Sequence, residues 1–164
     1  MVTRFSPESL LPVLQSLPVA SRYWLAYSGG LDSTVLLHAP AQLGERLPSP
    51  LSVVHVDHGL SASSIEWARQ CRRQCEALDV LLHEQQVDVE RRGGGIEAAA
   101  REARYAVFAG LLAEGEMLLT AHHRDDQQPE KRPAPRSQQI QVHPAREQRS
   151  RCVDQRTAPL HSHG

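Results

Sequence analysis

The six residues Ser28-Gly29-Gly30-Leu31-Asp32-Ser33 are the part of the chain best suited to bind a ligand. The apolar run Tyr23-Trp24-Leu25-Ala26-Tyr27 precedes them and a helical pattern follows, so they read as a strand, a glycine turn and a helix opening at Ser33. Adjacent glycines admit backbone angles closed to residues with a Cβ and let a ligand approach closely. A helix N-terminus offers unpaired N–H groups and the positive end of a dipole. Together these make an anion cradle suited to phosphate. The string lacks the Gly-Lys-Ser/Thr ending of a Walker loop, which excludes the common ATPase and GTPase reading.

Three further strings carry polar groups where a nucleotide fold would place ligands. His55-Val56-Asp57-His58-Gly59-Leu60 leaves an apolar run, and the backbone at His55 and Val56 could pair with an adenine edge. Arg101 and Arg104 stand three apart on one helical face, a spacing that suits carboxylate or phosphate or else a solvated surface. His122-His123-Arg124-Asp125-Asp126-Gln127 gathers titratable groups, with adjacent carboxylates able to hold Mg²⁺ or an amine or to cap a helix. Zinc is disfavoured, because no third and fourth soft ligands stand at zinc spacing.

The elements that must position these strings alternate. Helical patterns cover residues 7–17, 33–43, 65–78 and 96 to about 114; apolar strand-like runs cover 51–57, 80–85 and 117–121. With the first strand before Ser28, this alternation predicts an α/β domain: a parallel sheet with helices on both faces and the ligand along one edge. From Gln128 onward the pattern stops. Arg, Gln, Pro, Ser and His dominate, no aromatic residue occurs, and the segment is expected to be disordered. The reading is therefore a nucleotide-binding domain over residues 1–127 and a tail over 128–164.

Composition narrows the setting. A chain of 164 residues suits one domain with a real core, and no apolar run approaches a membrane span. The N-terminus lacks the apolar centre of a signal peptide, so the cytoplasm is expected. Cys71, Cys75 and Cys152 are odd in number without a Cys-x-x-Cys pair, which favours reduced thiols. Residues 1–127 hold 11 basic and 16 acidic side chains, whereas 128–164 hold 7 and 3, so the organised part is a poor nucleic-acid surface by itself.

The glycine string resembles the pyrophosphate loop of the ATP pyrophosphatases that activate substrates by adenylylation. With His55–Leu60, residues 97–105 and the string Leu118-Leu119-Thr120-Ala121-His122-His123-Arg124-Asp125-Asp126-Gln127, the resemblance sharpens to the bacterial tRNA(Ile)-lysidine synthases, over roughly residues 10–127. It implies an adenine nucleotide alpha hydrolase-like fold and an ATP-dependent ligase. ATP adenylylates an anticodon cytidine of tRNA(Ile), and L-lysine then displaces AMP through its amine. It further implies that Ser28, Gly29, Gly30, Leu31, Asp32 and Ser33, with His55 and Val56, bind ATP. Asp32 would hold Mg²⁺, and His122 and Asp126, with Arg101 or Arg104, would serve lysine and the adenylate. A homodimer is left open, and no membrane partner is implied.

The resemblance breaks inside its last string. The family continues Asp-Asp-Gln-x-Glu-Thr into a leucine-rich helix, but Pro129 stands at the Glu position and Glu130 comes one place late. The expectation is a frameshift near Gln127 or Gln128, a fold incomplete on its C-terminal side with an exposed apolar sheet edge, and no ligase activity. Two other readings stay open: another member of the superfamily (a tRNA thiolation enzyme, NAD synthetase or GMP synthetase), or a non-catalytic nucleotide-binding module whose basic tail contacts RNA.

Overall fold

The structure, a computed structural model, describes residues 6–60, 62–89, 95–122 and 139–144. In chain order it contains α1 (Pro7–Gln15), β1 (Arg22–Ala26), α2 (Leu31–Leu43), a 3₁₀ turn (Gly44–Arg46), β2 (Leu51–Asp57), α3 (Ser64–Ala77), β3 (Leu81–Gln86), α4 (Ile96–Leu111), β4 (Glu116–His122) and β5 (Gln139–Pro144). The sheet order is β3-β2-β1-β4-β5, with every pair parallel except β4–β5. The expected α/β architecture is the one observed.

Each central strand is apolar along its whole length because both its faces are covered. Tyr23, Leu25, Val53, Met117 and Leu119 point toward α1, α2 and α3, where Leu10, Leu14, Leu36, Leu37 and Cys71 complete one core. Trp24, Val54, Val56 and Leu118 point the other way, onto Phe108 of α4 and Leu112 just beyond it. Leu25, Val53, Leu118 and Leu119 are fully buried, each contributing about 1.5–3 kcal/mol of transfer free energy.

Helices on opposite faces follow from right-handed crossovers. The chain winds from β1 through β2 to β3 in one direction, then returns by α4 to place β4 on the other side of β1. The direction of winding reverses at β1, which makes its carboxyl end a topological switch point, where open α/β sheets form their ligand crevice.

Two expectations are corrected here. The helix after the glycine turn opens at Leu31, two residues before Ser33, with Gly30 as its cap. The Thr34 N–H already donates to the Gly30 carbonyl at 3.0 Å, closing the first turn there. Second, β4 does not present an uncovered edge. β5 pairs with it antiparallel, Val142 opposite Leu119 and His143 opposite Leu118, and His143 is buried. Residues 139–144 therefore form a strand inside the stretch expected to lack order: Ile140 and Val142 alternate with polar residues, a period-two pattern that a neighbouring strand can stabilise. The rest of 128–164 lies outside the described residues.

Removing residues 128–164 strips β5 from β4. We expect that deletion to cost about 2 kcal/mol, to lower Tm by about 5 °C and to increase light scattering on heating. An unchanged melting curve would show that β5 contributes nothing to stability.

Candidate functional site

A cavity of about 330 Å³ opens at the carboxyl end of the sheet, beneath α4. Ala26, Tyr27 and Ser28 form its floor at the end of β1, Val54, His55, Val56 and His58 one wall, and Thr120 and Ala121 the other. Ser33 reaches in from α2, and Arg101, Arg104, Tyr105 and Phe108 descend from α4. Its volume falls within the range of small-molecule sites.

The glycine turn is shaped by what lies behind it. Gly29 has φ +83°, a region that L side chains rarely adopt, and a Cβ there would stand 3.1 Å from the Trp67 ring and 3.3 Å from Cys71 Sγ. α3 thus packs directly against the loop backbone, and glycine is required for both reasons. Gly30 caps α2 without a side chain. A serine cap would have occupied the helix's opening N–H groups with its own oxygen, whereas glycine leaves that end to a ligand.

Hydroxyls around Gly30 form a closed ring. The Gly30 N–H donates to Ser28 Oγ at 3.4 Å, Ser28 and Ser33 hydroxyls lie 3.0 Å apart, and Ser33 Oγ donates to the Gly30 carbonyl at 3.0 Å. Thr34 Oγ1 donates to the same carbonyl at 2.8 Å and lies 3.2 Å from the Tyr27 hydroxyl. Because the Thr34 proton is committed, Tyr27 is the donor of that last pair. The bond on the Gly30 N–H is the longest of the set and the easiest for a phosphate oxygen to replace.

Among the described residues, the charge lining the cavity is positive and comes from Arg101 and Arg104 of α4. Arg101 lies over the Tyr105 ring at 5.6 Å. The His58 imidazole is held below its ordinary pKa by burial first and then by Arg104, so it is neutral at pH 7. Among the described residues, His58 Nδ1 and Thr120 Oγ1 are buried without hydrogen-bond partners. Burying a hydroxyl unpaired is costly, so an orphan facing a polar cavity marks a position where a ligand or water would bind. Thr120 did not stand out in the sequence: within an apolar strand its type signals only β-propensity, and only the strand's position beside β1 directs it at the cavity.

The structure thus brings Ser28, Ser33, His55, Val56, Arg101 and Arg104 to one cavity, with Gly29, Gly30, Leu31 and Asp32 in the adjoining turn and helix opening. Leu31 is 79% exposed, so its side chain adds nothing to the floor. The His55 ring turns away toward α3, where Nδ1 meets the Tyr27 carbonyl at 2.8 Å and Cys71 Sγ at 3.6 Å. His122 ends β4; its side chain and all of Asp126 lie outside the described residues. Among the described residues no three His, Cys, Asp or Glu side chains gather into a metal site.

Comparison with known proteins bears on the family and the fold. Residues 6–130 match the PP-loop domain. The chain belongs to the PP-loop domain family. Membership implies ATP binding. The tRNA(Ile)-lysidine synthase of Alkalilimnicola ehrlichii is 54% identical over 123 residues, covering 74% of this chain and 28% of that protein. That of Pseudomonas syringae pv. tomato is 48% identical over 122 residues, 74% and 27% of the two chains. That of Coxiella burnetii is 41% identical over 124 residues, 75% and 28%. The chain spans about a quarter of the length of these curated relatives. Among solved structures, the U34-tRNA thiolase NcsA of Methanococcus maripaludis superposes with TM-score 0.53 at 14% identity, over 64% of this chain and 39% of that one, a likeness of fold.

Two outcomes follow. Gly29→Ala forces a Cβ against Trp67 at a positive φ, so we expect a loss of about 1–3 kcal/mol in stability together with weakened ATP binding, read by denaturation and calorimetry. Cys71 and Cys75 are free, and burial pushes their thiols up to about 12 and about 11. Because the folded values are raised, the stability they contribute is present below the ordinary thiol pKa and falls as pH rises through the folded values. Alkylation at pH 8 should accordingly be slow in the native protein and fast after unfolding; equal rates would contradict the buried placement.

Proposed function

We propose that this chain is the nucleotide-activating part of a tRNA(Ile)-lysidine synthase, in which ATP adenylylates the anticodon cytidine and L-lysine displaces AMP. The observation that carries the reading is the convergence of residues from four separate sequence strings on one cavity: Ser28 and Ser33, His55 with Val56 and His58, Arg101 with Arg104, and Thr120 with Ala121. The identity to lysidine synthases over 74% of the chain supports the same assignment.

In this proposal the α2 opening and the glycine turn hold the pyrophosphate leaving group, and the backbone of His55 and Val56 faces the adenine. The guanidiniums of Arg101 and Arg104 neutralise charge on the transferred adenylyl group. Both stand over the cavity, which supports a shared role for the pair. Asp32, in the first turn of α2, would hold Mg²⁺. One carboxylate suffices when phosphate oxygens and waters complete the shell, as Mg²⁺ prefers. Bound there, the ion would neutralise the departing pyrophosphate. His122 and Asp126 are proposed to orient lysine, with the cytoplasm as the setting and a homodimer as the assembly.

Among the described residues no helix is long and apolar enough to cross a membrane. The tRNA contact surface is proposed to lie in segments corresponding to the remainder of the relatives' length. Residues beyond 127 depart from the family's pattern, and the domain match ends at residue 130. These 164 residues alone are therefore proposed to bind ATP without completing ligation, with a frameshift near codon 127 as the origin of the departure.

Calorimetry with Mg²⁺ and ATP provides the test. The full chain should bind ATP, and Asp32→Ala should weaken binding about tenfold or more, equivalent to about 1.4 kcal/mol. Equal affinity would remove Asp32 from the Mg²⁺ site. Lysine incorporation into tRNA by this chain would overturn the proposed inactivity.

A further inference from the structure

His55 lies on β2 and is 6% exposed. Its Nδ1 stands 2.8 Å from the carbonyl oxygen of Tyr27, the last residue before the Ser28-Gly29-Gly30 turn. A carbonyl can only accept, so Nδ1 carries the proton and the tautomer is fixed. On its other side the Tyr27 N–H donates to the Val54 carbonyl at 2.9 Å. The peptide groups flanking Tyr27 are thus held by two consecutive residues of β2, one through its backbone and one through its side chain. Cys71 Sγ, a neutral thiol, lies 3.6 Å from the same nitrogen and also backs Gly29. β1 itself ends at Ala26, so His55 acts where the backbone ladder gives out and the chain turns into the loop.

We propose that His55 is a positioning residue for the glycine turn. Its Nδ1–H fixes the Tyr27–Ser28 peptide plane, and through that plane the direction in which the Gly29, Gly30 and α2 N–H groups face the cavity. The ring itself touches no nucleotide. Two features exclude the alternative in which the ring reads adenine: Nδ1 is spent on the Tyr27 carbonyl, and the ring packs toward α3, on the face of the sheet opposite α4. The consequence is selective. Ligands that use the loop amides, which are ATP and inorganic pyrophosphate, depend on His55; AMP, which lacks the β and γ phosphates, does not. The inference rests on the nucleotide-binding reading above and adds to it a support that the loop motif does not include.

Asparagine and glutamine separate the positioning role from simple packing. The amide nitrogen of Asn branches from Cγ as Nδ1 does and can reach the Tyr27 carbonyl; that of Gln sits one bond farther out, in the place of Nε2. Affinities for ATP, pyrophosphate and AMP are measured with Mg²⁺ by calorimetry on the full chain, for wild type, His55→Asn, His55→Gln and His55→Leu, with Tm for each. We expect His55→Asn to stay within about threefold of wild type for every ligand. His55→Gln and His55→Leu should lose about tenfold or more for ATP and pyrophosphate and keep AMP affinity.

Wild-type pyrophosphate affinity in His55→Gln and His55→Leu overturns the proposal, as does parallel loss of AMP, which would place the ring on the base. Failure of all three variants to fold overturns it too, in favour of a purely structural histidine. If wild type itself binds neither ATP nor pyrophosphate, the functional reading fails separately. The positioning claim is then decided by amide exchange at Ser28 to Gly30, which should speed up in His55→Gln and not in His55→Asn.

Discussion

The backbone at the end of β1 must leave the sheet without giving up the hydrogen bonds that kept it there. A loop whose N–H groups are to meet a ligand must leave them unpaired or weakly paired, as the Gly30 N–H is by its 3.4 Å bond to Ser28 Oγ, and buried backbone groups left unpaired are costly. The molecule resolves the conflict by dividing the work. The Tyr27 N–H and carbonyl are taken by Val54 and His55 of β2, and the Gly30 carbonyl by Ser33 and Thr34 of α2. Trp67 and Cys71 of α3 fill the space behind Gly29. Ser28 and Ser33, at the two ends of that turn, line the cavity.

That arrangement explains why so much of the fold is apolar and rigid. β1 is central in the sheet and buried on both faces, so neither the strand nor the turn can shift without opening one of two cores. Away from the site, the amino end of the sheet is fastened by polar contacts. Glu116 accepts from Trp24 Nε1 and the Ala113 N–H, both at 2.8 Å, and lies 3.5 Å from Arg22. The pair Arg22–Glu116 is partly exposed and adds little by Coulomb attraction alone; the hydrogen bonds of Glu116 fix the register of β4 against β1. This matters because β4 carries Thr120 into the cavity.

The two walls of the cavity differ in kind. α4 supplies long cationic side chains that can adjust to a ligand, whereas the sheet supplies fixed backbone and short hydroxyls. A neutral His58 beside Arg104 keeps positive charge concentrated on the guanidiniums. This combination suits a phosphorylated ligand: fixed donors can meet oxygens at set positions while the longer cationic side chains adjust to charge elsewhere on the molecule.

The order of elements, the sheet type, the glycine turn between β1 and α2 and the placing of Arg101 and Arg104 on one side of a helix were all legible in the sequence. Each depends on spacing along one segment: period two for strands, 3.6 for helices, and two glycines at a strand-to-helix boundary. Local pattern misplaced the cap, because Ser33 is a better N-cap by type than Gly30, and the closing of the first turn on the Gly30 carbonyl decided otherwise. It also left residues 139–144 without structure, since a lone alternating stretch becomes a strand only when β4 offers it a partner edge. The role of the His55 ring, the orphan hydroxyl of Thr120 and the need for glycine opposite Trp67 belong to tertiary structure alone. They arise from residues far apart in sequence meeting across the sheet, and no periodicity within one segment records which neighbour lies on the other side.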